Sequence, residues 1–467
     1  MLLVAFALSI VGPALAAGAE KDGAACLLQS RRAPGSIDRV TVKLDAGGEL
    51  KFVEDKKVGR EKMSVVAEIE YTERTLALAD DEAGRLRSVR YYDQAEAIIK
   101  VGDGGFKPSL RDERRLIGVS VAGSSTEKAK ADAKDTVDHG NLLFSPMGPL
   151  ARDELDLLEI NGDSLLLDRL LPGRKVAQGD SWEHSEALMT ALLDLDRIAK
   201  CEVKSTLEKL SQTSALMVMS GNVEGAIGGV STRKEIKAKY RFDRRTGRID
   251  WFGLLVKEDS DIGHINTGVE LVARVQMQIT PVDSSPRLSD AALEGFSLDP
   301  SDEVSQIVHR SDAGGWEFSH DRRWFVTVDQ RSRSVLRMVD RGELIAQCNI
   351  TALSKVDPGK QITLKQFQND IKEALGESFG EFINASQRAN DAKCRVLRVV
   401  AGGESSELPV HWIYYLIADE QGRQVTLTFT VEKTNVERLA NADRAVVETL
   451  RFVEPEVAQR DGEAATR

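Results

Sequence analysis

The chain has 467 residues, of which 42% are hydrophobic and 29% charged, with a formal net charge of −11 and a pI near 5.3. That length suits two or three domains of about 100–200 residues, and the hydrophobic share is enough to bury cores rather than leave the chain disordered. An acidic surface repels phosphate backbones, and no Lys/Arg stripe is interleaved with aromatic residues, so nucleic acid is not an expected partner.

Residues Leu2 to Ala16 form an apolar run broken near its end by Gly12-Pro13, followed by Ala14-Leu15-Ala16-Ala17 and then Glu20-Lys21-Asp22. The run suits the hydrophobic region of a signal peptide and Ala14-Leu15-Ala16 suits its cleavage rule, although no Lys or Arg precedes the run. Residues 1–17 are therefore expected to be a cleaved signal peptide and the body to be exported, periplasmic or extracellular. A membrane anchor needs about 20 apolar residues and tolerates a proline poorly. Cys26 stands where a lipoprotein would be acylated. The preceding Gly23-Ala24-Ala25 lacks the leucine of that motif, and three charges part it from the run, so Cys26 reads as an ordinary residue. No later stretch reaches membrane-spanning length without charges, so no transmembrane segment is expected after the signal peptide.

Residues 35–282 read as a β-rich domain. Val40, Val42 and Leu44 alternate, Ala46-Gly47-Gly48 suggests a hairpin turn, and Leu50 and Phe52 resume the alternation. Segments 65–71, 85–92 and 116–121 continue in that style, and 123–138 has no apolar face and reads as an exposed loop or mobile helix. At 148–195 the pattern becomes helical. Leu150, Leu155, Leu157 and Leu158 suit one short helix, and Leu165, Leu166, Leu167, Leu170 and Leu171 suit another, stopped by Pro172-Gly173. Glu186 to Asp196 fits either a helix or a strand. From 197 to 281 strands return: Ile236, Ala238, Tyr240 and Phe242 oppose Lys237, Lys239 and Arg241, and Val269 to Ile279 alternates without a fault. Such alternation means one buried and one wet face, hence a large curved antiparallel meander with helices against one side.

The polar, proline-containing stretch 283–312 reads as a linker. Residues 315–455 form a separate α+β unit. Strands are expected at 323–329, 334–340, 343–351, 394–401, 409–418 and 424–432, with one helix capped by Thr363 and another after Thr434-Asn435. Residues 456–467 read as a disordered tail.

Motifs that carry chemistry are scarce. Four cysteines, Cys26, Cys201, Cys348 and Cys394, form no C-x-x-C pair. In an oxidising compartment Cys348 and Cys394, both in strand-like runs of one unit, are candidates for a disulfide, against the alternative of two small buried hydrophobes. Six histidines form neither H-x-H nor H-E-x-x-H. His184 lies near Glu183 and Glu186 without a second histidine one turn away and reads as an exposed loop residue; His320 reads as part of a solvated turn with no G-x-S-x-G elbow to serve. Gly225, Gly228 and Gly229 lack the Lys-Ser/Thr of a phosphate loop and read as strand-bend or bulge glycines. Asp156 to Asp168 has Leu157 where a calcium loop needs an acidic ligand. No catalytic residue, metal site or cofactor is assigned.

Trp316-Glu317-Phe318 leading into Trp324-Phe325-Val326, the helix from Thr363, the strands after Cys394 and the closing Leu450-Arg451-Phe452 give residues 315–455 an order that resembles the PsbP-like family. The resemblance implies an α/β/α sandwich that acts in binding or assembly, with no shared catalytic residues to transfer. The long meander plus the leucine-rich 148–195 resembles, more loosely, half-barrel carriers of the LolA and LppX kind. That resemblance implies an acyl chain held between a curved sheet and covering helices, with Leu165, Leu166 and Leu170 as the apolar cover; an ordinary core plugged by the same helices is the alternative. The fold class expected is thus α+β: a large antiparallel half-barrel-like domain with covering helices, then a PsbP-like sandwich. The function expected is that of an exported, non-catalytic envelope protein carrying a lipid or other apolar ligand, or offering an assembly surface to an envelope partner. The alternative is an extracytoplasmic hydrolase whose residues converge only in three dimensions.

Overall fold

The computed structural model describes residues 25–54, 57–78, 85–122, 141–263, 265, 267–340, 342–357 and 360–454. The expected signal peptide, the polar stretch 123–138 and the tail 456–467 lie outside them. The chain is a β-rich α+β protein whose strands form several antiparallel sheets, none of them closed.

The largest sheet has twelve strands. Its path runs from Ser181–Glu183 through Arg197–Leu210, Ser214–Ile227, Val230–Asp243, Arg248–Ser260 and Gly268–Val282. It then passes to Ile37–Glu54, Lys57–Ala77, Arg85–Val101, Leu116–Ala122 and Leu142–Phe144, with Gly104–Phe106 paired to the side. Two meanders are thus joined where Gly268–Val282 pairs with Ile37–Glu54. The alternation legible in the sequence becomes rows of side chains crossing the sheet. One such row is Leu207, Met217, Tyr240, Phe252, Met277, Val42, Ile69 and Ala95, each opposite the next and every one buried. The other face is wet and charged, as period-2 patterning requires.

Two expectations are corrected here. Ala46-Gly47-Gly48 does not turn: Ile37–Glu54 is one strand of 18 residues. A Cβ on Gly48 would overlap the Glu270 carbonyl, so the glycine serves close approach of a neighbouring strand rather than a hairpin. Gly228 and Gly229 are the two-residue turn between Ile227 and Val230, both at positive φ, not bulge glycines. The connecting stretch 283–312 holds the short helix Asp290–Leu293 and packs on the large sheet. Leu288 and Leu293 are buried against Val89 and Leu116 on the outer side of the sheet, Arg74 donates to the Leu288 carbonyl at 2.9 Å, and Arg87 donates to that of Leu298 at 2.8 Å.

The C-terminal unit is a seven-stranded sheet in the order Trp324–Gln330, Arg333–Asp340, Glu343–Leu353, Gln424–Glu432, Leu408–Ala418, Arg395–Ser405 and Phe379–Ala389. The last of these, an edge strand that shows little alternation, was not anticipated. Helix Leu364–Leu375, capped by Thr363 and Gln366, packs Phe367 and Ile371 on Leu397, Val399 and Ala401. The opposite face carries Trp316, Phe318 and helix Ala442–Thr449 with Val446 and Val447. A small sheet ties the two units: Ile307–Ser311 pairs with Trp316–His320 and, in parallel, with Leu150–Ala151 of the first unit.

Candidate functional site

The apolar face of the large sheet is covered by the segment between its edge strands Leu142–Phe144 and Ser181–Glu183 and by the helix after the second of them. This cover is built from helices Arg152–Leu158 and Glu186–Leu192 and the 3-10 turn Leu167–Leu170, where the sequence suggested a longer helix. Leu165, Leu166 and Leu170, the expected ligand cover, are 1%, 1% and 0% exposed, in one core with the rows of the sheet. The Leu170 carbonyl accepts from the Trp182 indole at 2.9 Å and from the Tyr240 hydroxyl at 3.4 Å. Glu186–Leu192, left open between helix and strand, is a helix because Ser185 caps it by accepting from the Leu188 amide.

Charged rows bound this apolar interior at both ends. At one end Asp38, Glu73 and Arg90 lie opposite one another on adjacent strands and point inward. Arg90 donates to Glu73 at 2.8 Å and to Asp163 at 2.6 Å. Arg32 sits 3.3 Å from Asp38, 3.5 Å from Glu73 and 3.3 Å from Asp168, and Arg248 is bonded to Asp38. Ser164 donates to Glu73 at 2.7 Å, and Tyr71 to Ser164 at 2.9 Å. Burial alone would raise the Glu73 carboxyl; Arg90, Arg32 and the Ser164 hydroxyl outweigh it and hold it below the usual range. Asp38 is raised, burial there outweighing Arg32 and Arg248. Because Asp163, Ser164 and Asp168 belong to the filling segment, the network clamps that segment to the sheet and to the strap around Arg32. At the other end Lys234 pairs with Glu258 at 3.2 Å and donates to the Leu193 carbonyl at 3.0 Å.

Two contacts have the composition of catalytic groups. The His184 imidazole lies 2.7 Å from the Ser205 hydroxyl, which also accepts from Tyr240 at 2.7 Å. His184 is thus not the exposed loop residue expected, and burial lowers its pKa to about 4. Ser205 is 0% exposed, so no substrate reaches its oxygen in this arrangement. Asp329 accepts from Ser311 and Ser334 at 2.7 Å each, with His309 3.6 Å away. Here the serine is tied to the carboxylate rather than to the imidazole, the reverse of what activates a nucleophile. His320 is buried instead of solvated, and burial lowers it to about 4. His139 and His264 lie outside the described residues. Among the described residues no group of three or more His, Cys, Asp or Glu is placed to hold a metal ion.

Cys348 and Cys394 are both free thiols. Cys348 lies in Glu343–Leu353 and Cys394 just before Arg395–Ser405, two strands separated by Gln424–Glu432 and Leu408–Ala418, three strand spacings or about 14 Å, where a bridge allows Cα atoms no more than about 7 Å apart. The sequence places both in strands but not in which order, and the order decides. Cys26 is buried in the main core and pairs with Val176.

The two units meet at charged groups. Arg322 donates to the Ser305 carbonyl at 2.7 Å and to that of Leu143, and lies 3.9 Å from Glu159. Arg152 donates to the Arg322 carbonyl at 3.0 Å and stacks on Phe325 at 4.7 Å. Burial, then the charge of Asp194, raises Glu159 to about 8. A cavity of about 480 Å³ lies at the Lys234–Glu258 pair, lined also by Asn222, Arg233, Glu235, Lys257 and Glu270, and one of about 590 Å³ lies between Arg74, Leu76 and Leu293. Neither is lined by Leu165, Leu166 or Leu170.

No family model matches the chain, and no curated protein matches it in sequence. Among solved structures it is similar to cyanobacterial PsbP from Synechocystis sp. PCC 6803, at 15% identity over 32% of this chain and 92% of that one, with a TM-score of 0.26. The Ran-binding protein Mog1p of Saccharomyces cerevisiae matches at 10% identity over 32% of this chain and 96% of that one, TM-score 0.26. Lipovitellin matches at 9% identity over 74% of this chain and 31% of that one, TM-score 0.31. Superpositions this loose carry no argument about what the chain binds.

Proposed function

We propose that this is an exported, non-catalytic binding protein of the cell envelope: a half-barrel sealed on its own leucine-rich segment, followed by a PsbP-like α/β/α unit, acting as an assembly scaffold through its surfaces. The observation that carries the reading is the occupied interior, where Ser164, Leu165, Leu166, Leu167 and Leu170 are buried and Asp163 and Asp168 are held by Arg32, Arg90 and Arg248. A cavity waiting for an acyl chain would leave some of these leucines underpacked. Export rests on the apolar run before Ala14-Leu15-Ala16.

Apolar-ligand carriage is the second reading. It is favoured by the sheet being open between its edge strands, Ser181–Glu183 and Leu142–Phe144, with the gap filled by a segment of only short helices that a ligand could displace. Thermal unfolding of delipidated protein with fatty acids of graded chain length separates the two. The scaffold reading expects one melting temperature throughout. Carriage expects it to rise with chain length, each buried methylene contributing about 0.8 kcal/mol, and that rise would overturn the scaffold.

A further inference from the structure

Of the five tryptophans, Trp316, Trp324 and Trp412 are buried and Trp182 packs against the main core. Trp251 belongs to none of the hydrophobic cores among the described residues. It stands half-buried on the charged outer face of the large sheet, in the strand Arg248–Ser260. Two local features hold it there. Between the buried Ile249 and Phe252 the register slips, and this bulge leaves both Asp250 and Trp251 on the outer face. Two residues on, Gly253 has no side chain, and a Cβ there would come within 2.8 Å of the indole. The six-membered ring therefore rests on bare backbone and lies along the sheet instead of standing off it.

The side chains around the ring are polar and of both signs. Arg241, opposite Trp251, donates to Asp250 at 2.8 and 3.0 Å. On the other side Gln278 is opposite Trp251 and Gln276 opposite Gly253, and Gln278 donates to the Asp250 carbonyl at 2.8 Å. Lys239 is opposite Gly253 on the remaining side. One row further, Lys237 and Arg274 flank Leu255. Lys237 is paired with Glu235 at 2.9 Å, and Arg274 stands opposite Asp45. Most of these charges are thus matched in place, and planar amide, guanidinium and carboxylate groups frame an aromatic ring.

We propose that this patch binds an uncharged polysaccharide whose sugar rings present flat C–H faces. Such a face carries partial positive charge and packs on the electron-rich indole. Gln276, Gln278 and the Arg241–Asp250 pair meet the sugar hydroxyls, each of which both donates and accepts. Charge complementarity selects this occupant. A polyanion meets Asp45, Asp250 and Glu235 beside the cations, and a polycation meets Arg241, Lys239 and Arg274, whereas hydroxyls are served by both signs. A protein surface packed on the patch would strip water from Lys239 and from the Arg241–Asp250 pair; a sugar chain, itself hydrated, leaves them wet. The proposal does not depend on what covers the inner face of the sheet.

The test is affinity electrophoresis of the full chain in native gels containing hydroxyethylcellulose, dextran or polygalacturonate. Retardation by hydroxyethylcellulose is expected, and it should be weaker in dextran, whose linkage gives no flat ribbon, and in the charged polygalacturonate. Trp251→Ala should weaken the retardation about tenfold. Gly253→Ala should weaken it comparably, because the added methyl lifts the indole from the backbone while leaving it in place. Both positions lie outside the cores, so both variants should melt near the parent. No retardation by hydroxyethylcellulose, equal retardation by dextran or polygalacturonate, or a folded Trp251→Ala or Gly253→Ala variant retarded like the parent would overturn the proposal.

Discussion

Replacing Arg90 by methionine should loosen the segment that covers the apolar face of the large sheet, because Arg90 joins it to the sheet. Its guanidinium donates to Glu73 on one side and to Asp163 and Ser164 on the other, at 2.8, 2.6 and 3.2 Å, and lies 4.9 Å from the Tyr71 ring centre. Removing one partner of a buried pair costs about 3–5 kcal/mol because the other charge is left unpaired. Glu73 would keep Arg32 at 3.5 Å and the hydroxyls of Ser88 and Ser164, so the expected loss is at the lower end, about 3 kcal/mol. Urea unfolding of the full chain, followed by the fluorescence of Trp182 against Leu170, measures it. The pH dependence is a second readout. In the parent the lowered Glu73 carboxyl contributes stability above its ordinary pKa, lost as pH falls through the lowered value. Without Arg90 the raising effect of burial is less opposed, so Glu73 takes up its proton earlier and the deficit shrinks toward acid. A deficit under about 1 kcal/mol, the range of an exposed pair, or one that stays constant with pH, would refute the clamp.

Glu159→Gln should act in the opposite sense. A folded pKa raised to about 8 from an ordinary 4.5 means that the fold favours the protonated acid. Its contribution is complete at acid pH and lost as pH rises through that window, so glutamine should flatten the fall in denaturation stability from pH 4.5 to 8. Gly229→Ala should weaken the contact between the units. Gly229 has φ of +73° and its added methyl would collide with the Gly342 Cα, so a loss of about 1–3 kcal/mol and faster amide exchange in both hairpins are expected, whereas unchanged exchange would refute the contact.

How much of this was legible depends on what each residue has to satisfy. Strands such as Val230–Asp243 and Gly268–Val282 were visible because one wet and one buried face impose strict alternation. Gly47-Gly48 misled because a glycine pair serves a turn and a close backbone approach equally well, and only the neighbouring strand, distant in sequence, tells them apart. The charged rows went unnoticed, yet they left a signal. Asp38 is in phase with Val40 and Val42, Glu73 with Tyr71 and Ile69, and Lys234 with Ile236 and Ala238, so each is a charge at an inward position of an otherwise apolar series. Their partners Arg32, Asp163 and Asp168 lie in irregular segments with no phase, and nothing in the sequence joins them to the strands. The His184–Ser205 contact was likewise hidden, being made by a loop and a strand twenty-one residues apart.

The two charged rows also explain why the ends of the large sheet differ. A sheet with one apolar face exposes that face at both ends of its strands unless something covers it. At the Arg90 end Asp38 and Glu73 face Arg90 and Arg248 on the sheet itself, and Arg32, Asp163 and Asp168, from segments distant in sequence, extend that network over the end of the apolar lining. Buried charges of this kind specify arrangement more than they add stability, since apolar replacements of equal volume often fold as well. At the opposite end Lys234 pairs with Glu258 and donates to the Leu193 carbonyl, and both side chains line the cavity of about 480 Å³. Beyond them the hairpin of Ser214–Ile227 and Val230–Asp243 runs on to its turn at Gly228 and Gly229, and that of Ile37–Glu54 and Lys57–Ala77 to Val53 and Val58. Both ends of the apolar rows are thus closed by ion pairs, one drawn from segments distant in sequence and the other from two adjacent strands.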